Sequence, residues 1–170
     1  MKCVDSNLTR LCPAMQCAPT PFPLQIRGLG AVFPDSVPVF HEDCGEEISR
    51  IPAAIEVCVL DCDMPSGRQR DCSLRIGWPG GQVEAVEFSV YHAFASAREQ
   101  LESLGLMPQC YGACPEVQVS GMAVDMGDGT IAYRLSDPRD GWGGPTVNIF
   151  DTGPDISPAS VKEQRNYRKR

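Results

Sequence analysis

The sequence predicts an α+β fold: an antiparallel or mixed sheet of five to seven strands, one main helix packed on a face, and a short C-terminal helix. Three observations lead there. Short apolar runs alternate with turn residues along much of the chain, and 16 glycines with 15 prolines favour strands and turns over long helices. One stretch, Val90 to Leu104, carries an apolar stripe at helical spacing. A Ser-Pro pair at 157–158 opens a second, shorter helical stretch. At 170 residues and 42% hydrophobic content, the chain has the size and composition of one globular domain.

Residues 1–23 hold Cys3, Cys12, Cys17 and four prolines with no helical or strand period, and read as an irregular arm before a single domain at 24–170. Leu24 to Phe40, interrupted by Gly28, Gly30, Pro34 and Pro38, suits one or two short strands. His41 to Arg50 is acidic and reads as a solvated loop or one helical turn. Ile55 to Leu60 is a β-branched, apolar strand that ends in Asp61-Cys62-Asp63 and the turn Pro65-Ser66-Gly67. Cys72–Trp78 and Val83–Phe88 form a hairpin across Pro79-Gly80-Gly81, with Val83, Ala85 and Glu87 on one face and Glu84, Val86 and Phe88 on the other.

The main helix buries Phe94, Ala97, Leu101 and Leu104 by spacing, and leaves Arg98, Glu99 and Glu102 on its wet face. Ser89 is its N-cap, and Gly105 stands where a left-handed cap is wanted. Strands are expected at Val117–Asp125, Ile131–Leu135 and Thr146–Phe150, the first two joined by a tight Asp128-Gly129 hairpin. Asp137 to Pro145 is a Gly/Trp-rich loop, and Ser157-Pro158 starts the short helix as N-cap and first residue.

The charge is segregated. The whole chain is at −7, but residues 161–170 carry Lys162, Arg165, Arg168, Lys169 and Arg170 against Glu163, which leaves −11 on the preceding 160. An acidic body disfavours nucleic acid and suits a basic protein partner. No run of about 18 apolar residues crosses a membrane. Met1 to Cys17 lacks the apolar core of an export signal, so a cytoplasmic protein is expected, with no membrane partner. In that setting the nine cysteines read as reduced thiols, several of them buried.

Asp61 and Asp63 follow an apolar strand, as an Asp-x-Asp that holds a divalent cation would, but they also suit a solvated turn. Asp125, Asp128 and Asp137 lack the ligand order of a calcium loop. Cys58/Cys62 and Cys110/Cys114 have the wrong spacing for a zinc knuckle, even with His41 and Cys44 to help. His41 and His92 are the only histidines, and neither stands in a nucleophile motif. No metal or cofactor is assigned. Trp142, inside Gly141-Trp142-Gly143-Gly144, has the chemistry of an interface anchor.

Met122-Ala123-Val124-Asp125-Met126-Gly127-Asp128-Gly129-Thr130-Ile131-Ala132-Tyr133-Arg134-Leu135, followed by Val147-Asn148-Ile149-Phe150-Asp151, resembles the central strands of SMI1/KNR4-like (SUKH) domains. The resemblance covers about 50 residues. Many such bacterial domains are immunity proteins, so it implies a protein that neutralises a toxin. The expected function is accordingly a non-catalytic immunity- or antitoxin-type inhibitor that caps a basic toxin or effector. Its expected partner-binding residues are Glu42, Asp43, Glu46, Glu47, Asp61, Asp63 and Trp142. Two other readings are a small metal-dependent enzyme acting on a nucleotide or nucleotide-sugar through Asp61/Asp63, and a structural or accessory subunit.

Overall fold

The computed structural model describes residues 22–28, 37–40, 47–64 and 67–169. They form an α+β structure with two antiparallel sheets. Strands β1 (Phe22–Gly28), β2 (Val37–Phe40), β3 (Glu47–Met64), β4 (Gly67–Trp78), β5 (Gly81–Glu87) and β6 (Leu106–Pro108) make the larger sheet. Its order is β5-β4-β3-β1-β6, with β2 also paired to β3. Strands β7 (Val117–Gln118), β8 (Ile131–Arg134) and β9 (Thr146–Asn148) make the smaller one, in chain order. The helices are α1 (Val90–Ser103), α2 (Gly121–Gly127) and α3 (Val161–Tyr167), with a short 3₁₀ turn at Tyr111–Ala113.

Period-two alternation places the core. Leu24 and Ile26 of β1, Ile51 and Ile55 of β3, Cys72, Leu74 and Ile76 of β4, and Val83 and Ala85 of β5 are all buried. The register aligns them: Ile55 stands opposite Ile76, and Ile76 opposite Val83. The other face is wet, where Arg75 bridges Glu56 and Glu84 across three strands. Helix α1 covers the apolar face with Val90, Ala93, Phe94, Ala97 and Leu101. The ring of Phe94 meets that of Phe150 edge-on at 5.5 Å, which ties the helix to the chain leaving the second sheet.

Several expectations are corrected. Val117–Asp125 is not one strand, because only Val117–Gln118 pairs and α2 begins at Gly121. The hydroxyl of Ser120 accepts the Ala123 N–H as N-cap, while Asp128 (φ 56°) and Gly129 (φ 72°) close the helix in left-handed geometry rather than turning a hairpin. Helix α3 starts three residues later than expected, on a capping box between Ser160 and Glu163. Within the acidic stretch 41–50, Glu47 to Arg50 belong to β3. Arg98 is 1% exposed, not on the wet face, whereas Leu104 is the C-cap and exposed.

The cysteines also divide. Cys58 is disulfide-bonded, against the expectation of reduced thiols, while Cys72, Cys110 and Cys114 are buried and keep their thiols. No helix among the described residues is long and apolar enough to cross a membrane.

Candidate functional site

The expected partner-binding residues are spread over the chain. Glu42, Asp43 and Glu46 lie outside the described residues, as do His41 and Cys44. Glu47 opens β3, paired with Phe40. Asp61 and Asp63 sit further along β3, where the register sets Arg70 opposite Asp61 and Arg68 opposite Asp63.

Trp142 is 43% exposed. The guanidinium of Arg168 lies 4.2 Å from the centre of its ring, and Tyr133 flanks it at 5.7 Å. Arg168 also donates to the Asp140 carbonyl at 3.3 Å, and Arg165 pairs with Glu99 at 2.6 Å. Arg165 of α3 and Arg168 at its C-cap are therefore turned onto the body of the same chain. Their contact with Trp142 leaves that residue as a partly covered platform.

The polar contacts among the described residues are structural in form. The Ser89 hydroxyl lies 2.7 Å from Nδ1 of His92. A Ser–His contact could activate a nucleophile, but Ser89 is fully buried and accepts the His92 N–H as N-cap of α1. Burial holds the imidazole of His92 below its usual pKa, and Phe88 stacks on it with ring centres 4.2 Å apart. Burial pushes the thiols of Cys110 and Cys114 up to about 12 and about 11, which keeps them protonated and unreactive at neutral pH. No group of three or more His, Cys, Asp or Glu suited to a metal ion occurs among the described residues.

A second cluster anchors the segment 151–158. Asp155 accepts from the Tyr111 hydroxyl at 2.9 Å and from Arg134, which also pairs with Glu116 at 3.5 Å. A Cβ at Gly153 would fall 2.1 Å from the Tyr111 hydroxyl oxygen, so the segment can run this close only with glycine there. The hydrogen bond from Arg134, then that from Tyr111, lowers the pKa of the Asp155 carboxyl. A depressed folded-state pKa contributes stability that is full above the unfolded value and lost as pH falls through the folded one. The anchor is therefore expected to release in acid, below the ordinary carboxylate range. A carbon-13 NMR titration of the Asp155 carboxyl checks this, and Arg134→Gln should raise its midpoint.

The least expected surface is α2. None of its seven residues is buried, and Met122 and Met126 are 69% and 82% exposed. They stand four residues apart, on one helical face. Ile131 is exposed just beyond, and Asp125 and Asp128 give the patch an acidic margin. The Tyr91 N–H donates to the Asp128 carbonyl at 3.2 Å, so exposed Phe88 lies near the same junction of α1 and α2. Sequence reasoning missed this patch because Val117, Val119, Gly121 and Ala123 alternate like a strand. The Met122/Met126 spacing was the available helical signal.

No protein-family model and no curated protein matches this sequence.

Proposed function

We propose that this is a non-catalytic protein-binding protein of the immunity or inhibitor kind, which caps a basic toxin domain. The observation that carries the reading is the exposed methionine face of α2. A seven-residue helix gains little from its own hydrogen bonds, and in this one only Ala123 and Val124 are half-buried and no side chain is fully buried. Exposed, contiguous apolar side chains mark contact surfaces, and methionine adapts to a partner's shape. The acidic margin, within a body at −11 before residue 161, gives that partner its sign. Cytoplasmic residence was expected from the N-terminal residues, but the disulfide at Cys58 suits an oxidising compartment better.

The test begins by identifying the retained partner from lysate of the source cells. Its affinity for the purified wild type and for Met122→Ala/Met126→Ala is then measured by calorimetry at low and moderate salt. The double variant is expected to bind about 100-fold more weakly, the loss of two anchoring side chains. Its melting temperature should barely change, because neither side chain is buried. Added salt should weaken the wild-type complex. Equal affinity of wild type and variant, or an acidic partner, would overturn the proposal.

A further inference from the structure

Apart from α2, the described residues enclose a polar cavity of about 540 Å³. One wall is the wet side of the large sheet, with Gln25 and Arg27 of β1 and Arg50 of β3. The other is the segment 152–158, with Thr152 and Ser157, and Gln109 at its margin. This second wall is fixed in place by Asp155 on Tyr111 and Arg134, and by the close approach of Gly153 to Tyr111. The cavity is within the size range of small-molecule sites, and it is preformed.

Its charge is unusual for this chain. Arg27 and Arg50 are directly opposite each other in the β1–β3 register. Like charges at facing positions of a ladder are destabilising. Among the described residues, no acid lines the cavity and no ion pair joins either arginine. Among the described residues, the one side-chain hydrogen bond of the pair is Arg50 donating to the Gln25 amide oxygen at 3.3 Å. A protein at −7 thus turns two guanidiniums into one cavity alongside neutral hydrogen-bonding groups.

We infer that this cavity binds a phosphorylated small molecule with a polar, hydroxyl-rich body. Each guanidinium offers five N–H donors in a planar fork, and two of them exceed the acceptor capacity of a single carboxylate. A phosphate monoester brings a charge near −2 and three strong acceptor oxygens, matching the pair in charge and in donors. The amides of Gln25 and Gln109 and the hydroxyls of Thr152 and Ser157 suit a hydroxylated body, with Pro154, Ile156 and Pro158 as the apolar part of the wall. This site is independent of the α2 surface and of the partner proposed for it.

Calorimetry at fixed ionic strength tests the assignment, with inorganic phosphate, ribose 5-phosphate, ribose and malonate as probes. Inorganic phosphate and ribose 5-phosphate are expected to bind the wild type, and ribose and malonate are not. Arg27→Gln and Arg50→Gln should each weaken phosphate binding at least about tenfold, as the loss of a charge-assisted contact does. Arg75→Gln removes an arginine of the same wet face outside the cavity and should leave binding unchanged. Without ligand, the two cavity variants should melt at or above the wild-type temperature, because one of two facing charges is gone. The inference is overturned if neither phosphate probe binds or if malonate binds as tightly. Binding that survives both glutamine variants, or variants that melt below the wild type, would overturn it equally.

Discussion

Gln164→Ala is expected to destabilise the fold by roughly 2–5 kcal/mol, the cost of orphaning several buried polar groups together. Gln164 is 3% exposed on α3. Its amide nitrogen donates to the carbonyls of Gly112, Cys114 and Val117, at 3.0, 2.8 and 2.9 Å, so two protons are shared among three acceptors. Its amide oxygen accepts from Arg98, whose other contacts are the carbonyls of Gly112, Ala113 and Ala159. Among the described residues no carboxylate contacts this buried guanidinium, and its Nε has no partner. A buried cation stripped of its one side-chain acceptor is costly, since water cannot replace what is lost. Urea denaturation of wild type and variant measures the effect. A loss below about 1 kcal/mol would mean that α3 docks through Val161 rather than through this network.

Phe94→Ala should cost about 3–5 kcal/mol, the range for deleting a buried aromatic ring. Phe94 is 1% exposed and touches both halves of the structure, edge-on to Phe150 at 5.5 Å and under the Arg98 guanidinium at 5.8 Å. The surroundings are already tight, since a Cβ at Gly112 would lie 3.0 Å from the ring and 2.8 Å from Ile149. Such a site collapses little when the ring is removed, so most of the cavity would persist. Thermal unfolding reads the change. A small loss would show that the two sheets hold together without this ring.

Much of the fold was legible where one local signal had one meaning. Helix α1 announced itself through the stripe at Phe94, Ala97 and Leu101, with Ser89 as cap, and Val83 and Ala85 of β5 took the face their alternation predicts. The errors fell where one signal serves two structures. A hairpin turn and a helix C-cap both demand positive φ, so Asp128-Gly129 fits either, and alternation from Val117 to Ala123 tipped the choice to a strand. At the second helix two caps competed. Ser157-Pro158 looked right alone, but Ser160 with Glu163 three residues on satisfies two backbone donors reciprocally.

Sites were less legible than elements, for a different reason. Arg98 reads as a surface residue because its acceptors are carbonyls and a glutamine far along the chain. Arg27 and Arg50 are 23 positions apart, and only the β1–β3 register brings them face to face. Glu99, Asp140 and Trp142 meet Arg165 and Arg168 of the basic C-terminal stretch, contacts that its composition does not show. Each of these depends on pairings that sequence spacing does not encode.

The Arg98–Gln164 contact also sets a clock on the chain's synthesis, because 66 residues separate its two ends. At the usual pace of translation, about 5–20 residues per second, that gap takes roughly 3–13 s to cross. Single domains commonly fold in microseconds to seconds once their contacts exist. The nascent chain can thus form α1 against the large sheet well before α3 has been made. Throughout that interval Arg98 has no Gln164 to accept its hydrogen bond, and the face that α3 will cover is open to water and to chaperones.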